Sequence, residues 1–205
     1  MRELRCAVCG GNELQRAGNT YVCAYCGSKF ILDENDSIIE RDTSEIDFLR
    51  LIDRAQTLHE EKKFPDELHI LQTLHEKDPV NTDVLIKLGR CYRSLDKTDL
   101  AIKFYNRAIE LNPNDGTAYT NIGTIHILRE EYAEAKPLYE KGLPLIDKAT
   151  FDYWVAYADY AIVVAKLGDP KKAEKIIEEA ESRGYKKGDI VRQLAGIKKK
   201  KGWFW

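Results

Sequence analysis

Four cysteines carry the chemistry this sequence offers most plainly. Cys6-Ala-Val-Cys9-Gly10 and Cys23-Ala-Tyr-Cys26-Gly27 are two CxxCG strings with thirteen residues between the pairs. Each string is a tight turn that aims two sulfurs at one point, and the glycine after it lets backbone N–H groups approach the thiolates. Two such turns supply the four soft ligands that a tetrahedral Zn²⁺ ion takes. Four cysteines close the coordination sphere and leave no position for water, so the single ion would be structural, not catalytic. The competing chemistry is a redox dithiol. It is the weaker reading, because neither CxxC opens a helix in a βαβ unit and there are two of them.

The elements that must hold these sulfurs are short. Glu13 to Arg16, Thr20 to Cys23 and Lys29 to Leu32 read as strands, with Asn12 and Gly18-Asn19 as turn signals. The whole pattern, residues 1–32, resembles a zinc ribbon. A module of that size has too little apolar core to fold alone, and metal binding worth about 10–16 kcal/mol in comparable peptides would be its main support. Arg2, Arg5, Arg16 and Lys29 with Tyr21, Tyr25 and Phe30 offer a basic and aromatic face for nucleic acid. Four cations are few for a phosphate-dominated contact, so packed aromatics and solvated cations are the favoured reading.

Further along, Thr82 to Asp115 (TDVLIKLGRCYRSLDKTDLAIKFYNRAIELNPND) sets large, small and chain-breaking residues in a fixed order. Leu85, Leu88, Tyr92, Tyr105 and Ala108 are the large and apolar positions, Gly89 and Ala101 the small ones, and Asn112-Pro113 the stop. That order resembles the tetratricopeptide repeat, a pair of antiparallel helices of about 34 residues. The next unit matches through Tyr119, Ile122, Gly123, His126, Ala135, Tyr139 and Gly142. An earlier unit keeps Leu51, Ala55, Leu58, Leu71, Leu74 and Pro79 but departs at Glu67, where a small residue is expected. A later one keeps Tyr157, Ala161, Val164, Ala173, Ile177 and Ala180 after four extra residues, Thr150 to Tyr153. One hairpin cannot cover its own apolar face, so stacked neighbours are required.

The expected fold is therefore mainly α: an α-solenoid of about four helix-turn-helix repeats (48–81, 82–115, 116–149 and 154–187) behind a small β zinc ribbon. An acidic linker, 33–47, joins the two and holds Ile38-Ile39; Thr43 or Ser44 is placed to cap the first helix. Pro65 suits the first turn of a helix, Pro137 a slight kink and Pro144 a helix end. Residues 188–205 make a capping helix whose apolar stripe is Ile190, Val191, Leu194 and Ile197, then a lysine run, Lys198 to Lys201, and the aromatic tail Trp203-Phe204-Trp205. The lysines are a solvated helix end, or a phosphate site in the sharper reading. The tail packs on the last helices, or inserts into another copy of the chain.

Composition bounds the rest. The 205 residues carry a net charge of −2 with 32 % charged residues, which suits a soluble globular protein of one or two domains. No apolar run approaches the ~20 residues of a membrane helix, and the N-terminus lacks a secretory h-region, so a reducing, cytoplasmic setting is expected. No phosphate loop, dinucleotide fingerprint or nucleophile elbow is present. The four histidines, His59, His69, His75 and His126, are not at ligand spacing, and Cys91 is a half-buried reduced thiol in a repeat helix. The expectation is a protein that is not an enzyme.

The tetratricopeptide resemblance implies instead a concave face lined by the first helix of each repeat. Here that face would hold Arg90 and Arg93, then Thr120, Thr124 and Ile127, then Ile162, fit for a partner protein peptide or helix with an acidic end and apolar anchors. Members that clamp a chaperone C-terminal tail place lysine, asparagine and arginine where this chain has Ile86, Arg90, Asn121, Val155 and Asp159, and only Asn121 agrees. The leading reading is a non-enzymatic adaptor with a structural zinc ribbon. The alternative is a nucleic-acid-associated factor using the ribbon and the basic C-terminal end; self-association through opposite charges is a third.

Overall fold

A computed structural model describes residues 5–6, 8–17, 20–30 and 44–197. Arg2, Leu32, the acidic stretch 33–43 with Ile38-Ile39 and Thr43, Lys198 to Lys201, and Trp203-Phe204-Trp205 lie outside the described residues. Strands β1 (Leu14–Ala17), β2 (Thr20–Cys23) and β3 (Lys29–Phe30) form one antiparallel sheet in that order, with Leu14 opposite Cys23 and Tyr21 opposite Phe30. The helices are α1 (Ser44–Glu60), α2 (Phe64–Lys77), α3 (Thr82–Ser94), α4 (Thr98–Leu111), α5 (Gly116–Leu128), α6 (Tyr132–Gly142), α7 (Phe151–Lys166), α8 (Pro170–Ser182) and α9 (Gly188–Ala195). The class is the expected one: mainly α, in consecutive helical hairpins, with a small β module in front. Helix α1 takes in residues 44–47, which the sequence reading gave to the linker.

The repeat is most visible in the turns. Lys62, Asp96 and Glu130, each 34 positions after the last, all have φ near +60°. Gly168 takes the fourth place at φ 103°, after the same step plus the four-residue insertion. At each turn the left-handed residue and its successor reach back into the preceding helix. Lys63, Lys97, Glu131 and Asp169 donate backbone N–H to the carbonyls of Leu58, Tyr92, His126 and Val164 at 2.8–3.0 Å. This is the Schellman closure, which satisfies carbonyls the helix end would leave bare. Helix starts are held as firmly: Asn81, Asp115, Thr150 and Asp169 accept backbone N–H bonds from Val84, Thr117, Tyr153 and Lys172. Pro65 sits in the first turn of α2, and Pro137 lies inside α6.

Met1–Ala101 and Ile102–Trp205 are two compact units. In the first, α1 packs on α2 and α2 on α3, over Leu51, Leu58, Ile70, Leu71, Leu74, Leu85 and Leu88, all buried. Glu67, the misfit of its repeat, is fully buried there and accepts or shares a 2.8 Å hydrogen bond with His59 Nδ1. The carboxylate thus occupies the space a small residue leaves elsewhere.

In the second unit α5 packs tightly on α6. A Cβ at Gly123 would lie 2.7 Å from the ring of Tyr139, and Gly116 and Gly142 oppose each other backbone to backbone. Helix α6 ends at Gly142 in a single 3₁₀ turn, Leu143–Leu145, that contains Pro144. The four-residue insertion is absorbed by lengthening α7: Thr150 is its cap and Phe151 to Tyr153 its first turn.

Helix α9 packs on α7 and α8 by half of the expected stripe: Val191 is in the core and Ile197 packs against it. Val191, Arg192 and Ala195 are buried, whereas Ile190 and Leu194 are more than half exposed. Arg192 donates from Nε to Glu174 (2.9 Å) and from Nη1 and Nη2 to the two oxygens of Glu181 (2.7 and 2.8 Å). These carboxylates hold the guanidinium further above its already high pKa, Glu181 foremost. A Cβ at Gly188 would meet the Glu181 carboxylate that Arg192 engages.

Two stability measurements follow. Glu130→Gly should raise urea stability by about 0.5–1 kcal/mol, because glycine has no penalty at positive φ, and Gly168→Ala should lower it by a similar amount. Arg192→Ala should cost about 1.5–3 kcal/mol by removing the charged hydrogen bonds to Glu174 and Glu181, with early proteolysis at α9. Wild-type stability in either variant contradicts the respective argument.

Candidate metal centre and recognition surface

The two cysteine turns are copies of one another. Gly10 and Gly27 both have φ 72°, and each donates its N–H to the carbonyl of the first cysteine of its turn, Cys6 or Cys23, at 2.8 Å. Cys6 and Cys23 donate in turn to the carbonyls of Gly11 and Ser28. The glycine after each CxxC is required by that positive φ. The four Sγ atoms lie within 4.8 Å of one another, all four residues are buried, and the closest pairs, Cys6–Cys26 and Cys9–Cys23, are 3.5 Å apart.

That geometry fits a metal ion. A tetrahedral ion with bonds of about 2.3 Å sets its sulfurs about 3.8 Å apart, whereas a disulfide needs about 2.05 Å. Without a cation among them the four sulfurs cannot all ionise. Hydrogen bonding to Cys26 holds the Cys23 thiol far below the ordinary range, while its bond to Cys23 pushes Cys9 far above it. Buried Ser28 places its hydroxyl 3.2 Å from Cys26 Sγ. Four cysteines here lie close enough to hold a metal ion.

On the helices, the residues expected to contact a partner fall into two groups. In the first unit, Arg90 and Arg93 are half-buried on α3, three positions apart and so on one side of the helix. Arg90 donates from Nη2 to Gln56 Oε1 on α1 at 2.7 Å, across 34 residues, and Gln56 donates to Glu60 at 2.8 Å. Equivalent positions of neighbouring repeats are thus in contact, and the surface is mixed in charge because Glu60 joins it.

In the second unit, Thr124 and Ile127 are half-buried; Thr124 shares a 2.9 Å hydrogen bond with the Tyr139 hydroxyl and Ile127 packs against the core. Thr120 and Ile162 are 5 % and 4 % exposed, so they shape the surface from beneath. For Ile162 the signal is legible in α7. It is apolar on every side from Ala161 to Ala165, and α5, α6, α8 and α9 all pack on it. The half-buried Asn121 bonds to its own helix through Thr117 O.

Cys91, expected half-buried, is fully buried and donates to Phe64 O at 3.3 Å. Burial, then the charge of Glu67, pushes its thiol up to about 12.

Comparisons with known proteins agree on the helical part. Residues 82–115 and 104–136 match the tetratricopeptide repeat family. A probable UDP-N-acetylglucosamine–peptide N-acetylglucosaminyltransferase, SPINDLY of Arabidopsis thaliana, is 32 % identical over 113 residues, which is 55 % of this chain and 12 % of that enzyme. Two solved structures share the fold. The first TPR of Spaghetti bound to an HSP90 peptide is 22 % identical with a TM-score of 0.50, over 58 % of this chain and 92 % of that one. The O-GlcNAc transferase of Thermobaculum terrenum is 16 % identical with a TM-score of 0.59, over 71 % of this chain and 27 % of that one. Among the described residues, no helix is long and apolar enough to cross a membrane.

Thiol counting tests the centre and Cys91 together. In the native chain with metal held, an aromatic disulfide reagent at pH 8 should find no fast thiol. A chelator should release four, and Cys91, protonated well above that pH, should react only on unfolding. Four fast thiols before chelation would tell against the metal centre, and a fast fifth against the burial of Cys91.

Proposed function

Because this chain carries tetratricopeptide repeats, we propose that it is a non-enzymatic adaptor that recognises a peptide or helix of a partner protein on the first-helix faces of its repeats. Tetratricopeptide domains generally mediate protein–protein interaction, and a neighbour of the same fold has a peptide bound. The observation that supports the reading here is the Gln56–Arg90 hydrogen bond, which links α1 to α3 and fixes Arg90 one helical turn from Arg93. Two cations held on a helix face suit an acidic group, and the 2.7 Å anchor to Gln56 lowers the entropy lost when Arg90 engages one. Thr124 and Ile127 offer further contacts, with Thr120 and Ile162 supporting them from below.

The ribbon, residues 1–32, holds one structural Zn²⁺ through Cys6, Cys9, Cys23 and Cys26. Thiolate ligands and a closed four-fold set favour zinc over harder ions. Residues 48–187 are the repeats and 188–205 the terminal segment. A reducing, cytoplasmic setting keeps the thiols free for metal. The glycosyltransferase relative shares 12 % of its length with this chain, and we assign that share to repeats, not to catalysis. A chaperone tail is not the partner we assign. Ile86, Val155 and Asp159 stand where the two-carboxylate clamp needs cations or amides.

The test is fluorescence polarisation with a library of labelled acidic peptides against wild type and the Arg90→Glu/Arg93→Glu variant. The best acidic binder should lose affinity by at least about tenfold. Equal binding to both chains would remove the arginines from the recognition surface.

A further inference from the structure

The cysteine turns are not free of the helices. Arg54 on α1 donates from Nε to the carbonyl of Tyr25, 3.0 Å away, inside the second turn. Thr73 Oγ1 on α2 lies 3.0 Å from the carbonyl of Cys9, in the first turn, and 3.1 Å from the His69 carbonyl of its own helix, and its one hydroxyl proton is shared between the two. Each helix of the first hairpin therefore holds one turn, and both acceptors are carbonyls whose positions depend on the sulfurs converging. The Tyr25 ring stands between the parts: it meets the His69 ring of α2 at 5.9 Å and lies over Gly11, where a Cβ would be 2.5 Å away.

Among the described residues, two hydrogen bonds and one ring contact join the two parts. A cleft of about 310 Å³ runs between the parts, lined by Arg5, Asn12, Tyr25 and His69, and a second of about 220 Å³ lies beside Arg54 and Lys63. The two hydrogen bonds span a partly open junction, so their geometry depends on the turns keeping their shape. A module this small keeps its shape by binding metal. Without the ion the turns relax, Arg54 and Thr73 lose their acceptors there, and the first hairpin loses its tie to the kind of terminal element that repeat arrays require.

We propose that the four-cysteine module is a metal-dependent cap on the first helical hairpin. Ion occupancy, transmitted through Arg54 to Tyr25 and Thr73 to Cys9, controls how readily α1 and α2 open. The inference rests on the metal reading above. Linkage makes the effect reciprocal: a hairpin that holds both turns raises the affinity for the ion by the same factor.

Hydrogen–deuterium exchange on the full chain, zinc-loaded and chelator-stripped, reads the coupling directly. Stripping should speed exchange in α1 and α2 by about tenfold or more and leave α7 and α8 unchanged. The Arg54→Gln/Thr73→Val variant should still bind one zinc per chain, with affinity about tenfold weaker in competition with a chromogenic chelator. Its α1 and α2 should exchange at one rate with and without metal. Stoichiometric zinc in the wild type with unchanged α1 and α2 exchange overturns the cap and leaves the metal reading standing. A wild-type chain that retains no zinc after reconstitution overturns both.

Discussion

An antiparallel helix pair has an apolar side it cannot cover by itself, and the rest of this chain answers to that constraint. Inside each unit the answer is another helix: α3 on α2, and α6, α8 and α9 around α7. At the front of the first unit and the back of the second, polar ties take a share of the work. The cysteine module is tied to α1 and α2 through Arg54 and Thr73, and α9 is tied to α8 through Arg192. Charged and hydrogen-bonded ties hold a terminal element in one orientation, where an apolar stripe alone tolerates rotation and sliding. On α9, Ile190 and Leu194 stay exposed while Arg192 is buried.

Buried polar groups recur where the repeat pattern breaks. Glu67 stands where the helices ordinarily approach over a small side chain, and it is accommodated because His59 turns to meet it. Cys91 lies close enough to feel that charge, which adds to the burial that keeps its sulfur protonated. In the second unit the equivalent position keeps the small residue as the fully buried Ala135, and the ring of Tyr139 packs against Gly123 of the facing helix with its hydroxyl on Thr124. One backbone arrangement is thus held with a hydrogen-bonded carboxyl side chain at that position in one repeat and a bare methyl group in another.

The metal turns and the helix turns share a device. Each CxxC turn passes through a left-handed glycine, and each helical hairpin closes through a left-handed residue that is glycine only at Gly168. The other three positions, Lys62, Asp96 and Glu130, accept local backbone strain in return for two closed hydrogen bonds. Without glycine as a marker, those turns are found only through their spacing.

By itself the sequence determined the elements and their order: four sulfurs in two copied turns, short strands between them, and helical hairpins at a constant step. Those are local matters of ligand spacing, apolar period and chain-breaking residues, and each is written within a few dozen positions. Tertiary structure decided which side of a helix is available. Ile162 went beneath the surface because α7 is covered from several directions, Thr120 because Gly142 of α6 lies against it, and α9 turned Ile190 and Leu194 outward while two carboxylates on α8 claimed Arg192. Burial and ion pairing sum over neighbours distant in the chain, so no single stretch of residues records their outcome.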